Sequence, residues 1–203
     1  MKTLFIPAKS RLKLNTKKLI SLTKPLSKNI AIAYSIQFKD IALEIKTILS
    51  KTNNITDFIQ VLGCSNPRFK KNTESILLIG EGRFHAVSLM RESKIQVHLY
   101  SHNTLQKIPN TEVDKLEKRK KGAYMKYLNS DKIGILISTK PGQQRFNQAL
   151  KFKKNLNSKK SYLFLANDLN MAESENFQLE SWVNTACPRM DLNSTSIVNM
   201  KDL

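Results

Sequence analysis

The chain alternates between short apolar runs of strand length and segments whose apolar residues recur at helical spacing. Runs such as Ile30–Ile36 and Ser75–Ile79 are almost continuously apolar, which is typical of strands that are buried on both faces of a sheet. Between them, Ile41, Ile45 and Leu49 repeat every four residues, the spacing of one helix face. Apolar strands separated by helices predict parallel sheets that are covered on both sides.

The same alternation continues through the chain. The predicted strands are Leu4–Ile6, Ile30–Ile36, Phe58–Leu62, Ser75–Ile79, Lys94–Tyr100, Ile133–Ile137, Ser161–Leu165, Ser181–Asn184 and Ser196–Val198. The predicted helices are Asn15–Leu26, Ile41–Leu49, Ala86–Arg91, Thr111–Asn129 with Thr111 as N-cap, Gln144–Leu156 and a short acidic helix at Met171–Phe177, with a loop over 101–110. We therefore expect an α/β fold of two small parallel-sheet domains with helices on both faces, residues 1–110 and 111–203.

Glycines, cysteines and polar residues collect directly after four of the predicted strands. These segments are Gly63-Cys64, Gly80-Glu81-Gly82, the stretch from Ser138 to Gln143 and the stretch from Thr185 to Arg189. Because ligands of open α/β sheets bind at the carboxyl ends of the strands, these four loops are the candidate functional segments. Each domain carries two of them.

The charge balance is strongly basic, with 34 Lys and Arg against 16 Asp and Glu and a formal net charge of +18. The lysines are scattered, and their densest run, Lys118 to Lys121, lies on a predicted helix, where a solvated face is the simpler interpretation. The excess favours encounter with acidic partners. A basic RNA- or ribosome-binding module stays an alternative, although the scattered lysines do not predict direct nucleic-acid binding.

Neither a membrane-spanning segment nor a signal peptide is expected. No apolar run reaches about 18 residues, the length that a transmembrane helix needs. The first residues combine too short an apolar stretch with no small-residue cleavage site. The sequence therefore predicts a cytoplasmic protein without a membrane partner.

The sequence contains two cysteines, Cys64 and Cys187. They are far apart in a chain predicted to be cytoplasmic, so a structural disulfide is not expected, and neither belongs to the paired spacing of a zinc site. On cysteine count alone, each would be interpreted as a small buried apolar residue. Their positions after predicted strands favour function instead, because functional residues concentrate in loops.

Four stretches, taken in order, carry a family resemblance. They are Gln60-Val61-Leu62-Gly63-Cys64, the stretch Gly80 to His85, the stretch Gly134 to Gln143 and the stretch Val183 to Arg189. Together they resemble the archaeal diphthamide biosynthesis enzyme family, the 2-(3-amino-3-carboxypropyl)histidine synthases. The resemblance extends over nearly the whole chain, but only to the second and third of the three homologous α/β repeats of the diphthamide synthase fold.

The resemblance implies a transferase that uses a [4Fe–4S] cluster and S-adenosylmethionine in radical chemistry. The 3-amino-3-carboxypropyl group would pass from S-adenosylmethionine to a histidine of translation elongation factor 2. Each repeat of the family donates one cysteine to the cluster, so Cys64 and Cys187 are the implied metal ligands here. The third cysteine, with the missing first domain, would then come from a second polypeptide or protomer.

Further residues are candidates for binding S-adenosylmethionine or for catalysis. Backbone amides at glycine-rich turns bind anions, and cations pair with carboxylates, so both can hold the methionine carboxylate. The candidate cofactor-binding residues are Gly80, Gly82, Ser138, Thr139, Gly142, Gln143 and Arg189, and the candidate catalytic residues are His85 and Gln143. A non-catalytic scaffold subunit of the same pathway remains the nearest alternative function.

Overall fold

The computed structural model describes residues 4, 6, 8–62, 65–156, 158–192 and 195–203, with the backbone alone at 191 and 192. These residues divide into two compact units, Met1–Val113 and Asp114–Leu203. None of the described helices combines the length and the apolar character needed to cross a membrane.

The first unit contains a five-stranded sheet. Its elements are helix α1 (Thr16–Thr23), strand β1 (Asn29–Tyr34), helix α2 (Lys39–Leu49), strands β2 (Asn54–Gln60) and β3 (Ser75–Ile79), helix α3 (Arg83–Ser93), and strands β4 (Gln96–Ser101) and β5 (Thr104–Lys107). The strand order is β2-β1-β3-β4-β5, and all neighbouring pairs are parallel except β4 and β5. A short 3-10 helix, Ile36–Phe38, joins β1 to α2.

The core of this unit lies on both faces of the sheet. Ile30, Ile32 and Tyr34 of β1 pack in one apolar cluster with Leu19 of α1 and Ile45 of α2. Ala31 and Ala33, which alternate with them along the strand and so face the other side, are fully buried as well. The continuous apolar pattern of this strand therefore has the cause that was predicted.

The second unit contains a four-stranded, wholly parallel sheet. Its elements are helix α4 (Asn110–Leu128, whose first residues belong to the first unit), strand β6 (Lys132–Ser138), helix α5 (Phe146–Asn155), and strands β7 (Lys160–Ala166), β8 (Ser181–Asn184) and β9 (Ile197–Asn199). The strand order is β7-β6-β8-β9. The described residues of the unit also form 3-10 helices at Met171–Asn176, Pro188–Leu192 and Met200–Asp202.

The two faces of the second sheet are covered differently. Ile133, Ile135 and Ile137 pack with Tyr127 of α4 and Ala149 of α5. On the opposite face, an aromatic cluster is covered by the segments around the 3-10 helices; its members are Leu136, Phe164, Met171, Trp182, Met190 and Ile197. The expected α/β fold is confirmed, with α-helical cover on one face of this sheet and 3-10 helical cover on the other.

Strand β5 lies where the sequence predicted a loop, and that prediction was wrong. The strand pairs antiparallel with β4 through a two-residue turn, His102-Asn103, in which both residues have positive φ, 48° and 55°. Such hairpin turns are usually signalled by Asn-Gly or Asp-Gly, which this sequence lacks. The burial of β5 alternates little, so its own pattern did not indicate a strand either.

Three element boundaries also differ from the expectation. Helix α1 ends at Thr23, two residues before Pro25, because proline has no N–H with which to continue the helical hydrogen bonds. Helix α4 begins at Asn110, one residue before the predicted N-cap Thr111. Of the predicted first strand, Leu4 and Ile6 are exposed and irregular, and the residue between them lies outside the described residues.

Gly134 and Trp182 provide a stability test in the second unit. A Cβ added at Gly134 would lie 2.2 Å from Trp182 Cε3 across the paired strands, so we expect Gly134→Ala to lower the free energy of unfolding by about 3 kcal/mol, the upper end of overpacking penalties. The matched control is Gly122→Ala in α4, where an added Cβ meets nothing within 4 Å. It should raise stability by roughly 0.5–1 kcal/mol. Urea unfolding followed by the fluorescence of Trp182, the single tryptophan, measures both changes, and equal effects would contradict the packing.

Candidate functional site

In the first unit, the candidate residues after β3 form a tight strand-to-helix turn. The N–H of Gly80 donates to the carbonyl of Tyr100 (3.2 Å), and a Cβ at Gly80 would lie 3.1 Å from Ser35 Oγ. Gly82 has a φ of 86°, which side chains rarely tolerate, and α3 begins at the next residue. His85 follows in the first turn of α3 and is half-buried. Gly80 therefore allows the close approach of Ser35, and Gly82 allows a turn with positive φ.

A groove of about 290 Å³ lies beside this turn, at the carboxyl ends of β1 and β3. His85 lines it together with Ser35, Gln37, Glu81 and Lys9. Glu81 also lies 3.4 Å from His102 Nε2, and Lys9 donates to Asp40 (2.8 Å). The groove thus offers cationic, anionic and neutral hydrogen-bonding groups at the edge where ligands of parallel sheets bind. Sequence reasoning identified His85 and included Glu81 in a candidate segment, but it missed Lys9, Ser35 and Gln37.

The loop after β6 in the second unit holds four candidate residues. Ser138 is buried; its Oγ donates to the carbonyl of Asn167 (3.3 Å) and accepts from the N–H of Lys140 (3.1 Å). The N–H of Thr139 donates to the carbonyl of Ala166 at 3.0 Å. The polar atoms of Ser138 are therefore engaged in holding the loop, which is a positioning role.

The segment from Lys140 to Gln143 is a hydrogen-bonded turn. The N–H of Gln143 donates to the carbonyl of Lys140 (3.0 Å), and Gly142, after Pro141, has a φ of 79°. Proline followed by a glycine of positive φ is the signature of a type II turn. The Lys140 ammonium donates to Asp168 and holds the pKa of that carboxyl below its usual value.

The loop after β8, which carries Cys187, is held by two buried asparagines. Asn184 and Asn199 end the neighbouring strands β8 and β9 in register, and each is 2% exposed. Asn184 Nδ2 donates to Asn199 Oδ1 (2.7 Å) and to the carbonyl of Cys187 (2.8 Å), and Asn184 Oδ1 accepts from the N–H of Ala186 (2.9 Å). Asn199 Nδ2 donates to the carbonyl of Pro188 at 3.3 Å.

These contacts fix the backbone on both sides of Cys187 while its side chain stays half-buried and free of a disulfide. The hydroxyl of Thr185 adds a hydrogen bond to the carbonyl of Leu136 at 2.8 Å, which ties the loop to β6. Sequence reasoning missed Asn184, Asn199 and Thr185 as contributors. The contact between the two asparagines depends on β8 and β9 being neighbours in the sheet, which the sequence does not show.

The candidate residues thus form separate groups. Gly80, Gly82 and His85 lie together in the first unit; the loop from Ser138 to Gln143 and the loop of Cys187 leave the adjacent strands β6 and β8 of the second. Arg189 is exposed in the 3-10 helix Pro188–Leu192. Gly63 and Cys64 lie outside the described residues, although Leu62 and Ser65 on either side are joined by two hydrogen bonds of 2.7 and 3.0 Å.

The donor set available for a metal is limited. Among the described residues, no three His, Cys, Asp or Glu side chains are grouped so that they can hold a metal ion. A half-buried thiol on a loop fixed by its own carbonyl fits the role of a single thiolate ligand within a larger set. Among the described residues of the second unit, Cys187 could therefore supply one thiolate ligand.

Comparison with known proteins decides the family. The sequence profile of the diphthamide synthesis protein family matches residues 1–196, almost the whole chain. The chain belongs to this family. The resemblance inferred from the four strand-end stretches is thereby confirmed.

Two archaeal proteins named 2-(3-amino-3-carboxypropyl)histidine synthase are among its relatives. The one from Pyrococcus horikoshii is 30% identical over 135 residues, which cover 66% of this chain and 39% of that protein. The one from Methanocaldococcus jannaschii is 27% identical over 207 residues, or 95% of this chain and 56% of that protein. The chain therefore spans about half the length, or less, of these members of the diphthamide family.

Solved structures of the family share the fold. The crystal structure of Dph2 from Pyrococcus horikoshii superposes with a TM-score of 0.79 at 24% identity, covering 94% of this chain and 61% of that one. The structure of the same protein with a 4Fe-4S cluster gives a TM-score of 0.78 at 23% identity. Both units of this chain thus have counterparts in the diphthamide fold.

The asparagine pair generates a second prediction. Asn199→Leu keeps a similar volume but leaves the carbonyl of Pro188 and one N–H of Asn184 without their partner, so the free energy of unfolding should fall by about 1–3 kcal/mol. Alkylation of Cys187 by iodoacetamide, followed by peptide mapping, should become faster because its loop is released. Asn176→Leu, at an exposed asparagine of the same unit, is the control and should change stability by less than about 0.5 kcal/mol. Equal alkylation rates in the two variants would show that the pair does not hold the loop.

Proposed function

We propose that this chain is a subunit of the enzyme that begins diphthamide synthesis. In this proposal it takes part in transferring the 3-amino-3-carboxypropyl group from S-adenosylmethionine to a histidine of translation elongation factor 2. Membership of the diphthamide synthesis family supports the pathway, and the relatives named as synthases support an enzymatic role.

The observation that carries the proposal is the presentation of Cys187 at the carboxyl end of β8. A buried neutral hydrogen-bond network fixes the backbone of this cysteine, and the residue is only half-buried and forms no disulfide, which leaves the thiol available as a ligand. A relative of the same fold has been crystallised with a 4Fe-4S cluster. Cys187 and Cys64 would hold such a cluster, and a third cysteine from a second polypeptide or protomer would complete the set.

When bound, a [4Fe–4S] cluster with three thiolate ligands supplies one-electron chemistry and one open iron position. The residues of this chain would bind and orient the cofactor around it. The glycine turns at Gly82 and Gly142 are proposed to bind the carboxylate of S-adenosylmethionine, and His85 and Glu81 line a groove at the same edge as the turn after β3. Gln143 and Arg189 remain proposed contacts to S-adenosylmethionine or to an acidic partner.

The metal proposal predicts a loss of iron on removal of either cysteine. The affinity-tagged chain, purified anaerobically from its own cells with its partners, should be brown and contain about four irons per complex. Cys187→Ala and Cys64→Ala should each lower the iron content at least severalfold and weaken the visible absorbance, because each removes a thiolate ligand. Met190→Leu is the matched control, since it removes a thioether near the same loop at similar volume and should keep the iron.

The same complexes separate catalysis from scaffolding. Transfer of label from S-adenosylmethionine to elongation factor 2 should be lost with either cysteine variant and kept with Met190→Leu. Full transfer by the cysteine variants would identify a non-catalytic scaffold. Colourless wild-type complex that still performs the transfer would refute the cluster role.

A further inference from the structure

The first unit contains a larger cavity at the edge opposite to its candidate site. It has a volume of about 530 Å³ and lies between α1 and α2, where Lys28 and Asn53 lead into β1 and β2. This volume falls within the range of about 300–1,000 Å³ of ligand pockets. Because β1 and β2 begin here, the cavity lies apart from the carboxyl ends that carry the proposed chemistry.

The cavity combines an apolar floor with a cationic rim. Ile20, Leu26, Ile48 and Leu49 supply the floor, and the side chain of Ile20 is 46% exposed although it lies on α1 beside the buried core. The charged residues that line the cavity are lysines alone: Lys24, Lys28 and Lys51, all exposed. Within the described part of the chain, no acidic side chain forms an ion pair with these three.

The helix ends at the cavity oppose this positive charge only in part. Helix α1 ends at Thr23 and α2 at Leu49, so both C-termini adjoin the cavity. Two helix C-termini together present about one unit of negative charge, against three ammonium groups. The local potential therefore stays positive and favours an anionic occupant.

Three of the polar side chains in the wall already form hydrogen bonds. Thr23 Oγ1 donates to the carbonyl of Leu19 (2.8 Å), Asn53 Nδ2 donates to the carbonyl of Ser27 (3.0 Å), and Thr52 Oγ1 donates to Asn53 Oδ1 (2.8 Å). A small polar ligand is normally oriented by a few fixed, convergent groups, which this wall does not offer. Flexible lysines above an apolar floor suit a series of carboxylates flanking apolar side chains.

We propose that this cavity is a docking site for an acidic segment of a partner polypeptide that inserts a leucine- or phenylalanine-like side chain between α1 and α2. The floor takes the apolar side chain, and Lys24, Lys28 and Lys51 pair with flanking Asp or Glu residues. The rim charges raise the association rate and select acidic partners, and the buried side chain provides the affinity. The site is independent of the proposed transferase function.

The test is a selection of phage-displayed 16-residue peptides on the full chain. Enriched peptides should carry Leu or Phe flanked by Asp or Glu, and fluorescence anisotropy of the synthetic peptides should show binding that weakens as salt increases. The rim variant Lys24→Glu/Lys28→Glu/Lys51→Glu should weaken binding by roughly tenfold or more. Ile20→Ser should weaken it by about tenfold at unchanged charge.

A charge-matched control separates a site from a general field. The variant Lys39→Glu/Lys71→Glu/Lys151→Glu changes the net charge equally at exposed lysines outside the cavity and should keep the affinity within about threefold. Equal loss in the rim and control variants would overturn the proposal in favour of non-specific attraction. The proposal would also be overturned if the selected peptides lacked acidic and apolar residues. It would be overturned as well if no peptide were enriched and the cavity instead bound decanoate, a small anion with an apolar chain.

Discussion

The structure depends on parallel strands that are buried on both faces. Such strands must be joined by crossovers, so their carboxyl ends all emerge at one edge of each sheet. In the first unit this edge receives the chain after Tyr34 and Ile79, and in the second after Ser138 and Asn184. The described candidate loops of each unit therefore leave the same edge of its sheet because of the strand arrangement, and not because of their local sequence.

Strand β8 contributes side chains both to the core and to the candidate site. Trp182 packs into the aromatic cluster and leaves room only for glycine at position 134. Asn184, two residues later and so on the same side of the strand, forms hydrogen bonds with the loop of Cys187 instead. A four-residue strand thus carries both a packing constraint and the support for the candidate ligand. Its buried amide is satisfied by three partners, which is what makes an asparagine acceptable at 2% exposure.

The central strands and most helices could be predicted from hydrophobic pattern, because β1, β3 and β6 are nearly uniform apolar runs with helical repeats between them. Strand β5 could not, since its pairing rests on a His102-Asn103 turn that ordinary turn signals do not reveal. The positions of Gly80, Gly142 and Cys187 after strands were visible in the sequence. The Asn184–Asn199 contact could not be seen in the sequence, because it depends on β8 and β9 being neighbours in the sheet.

The chain has a net charge of +18, yet the hydrogen bonds that hold the loop of Cys187 come from neutral groups. Around Cys187 the buried hydrogen bonds come from amides and a threonine hydroxyl, and on the neighbouring loop Lys140 is paired with Asp168. Neutral amides need no buried counter-charge, so the loop is fixed without the desolvation cost of an ion pair. Most of the lysines are exposed, where they act at longer range on encounter with acidic molecules and are screened by salt. The hydrogen bonds that hold the loop of Cys187 therefore need no charged partner, and the positive charge of the chain is not required for them.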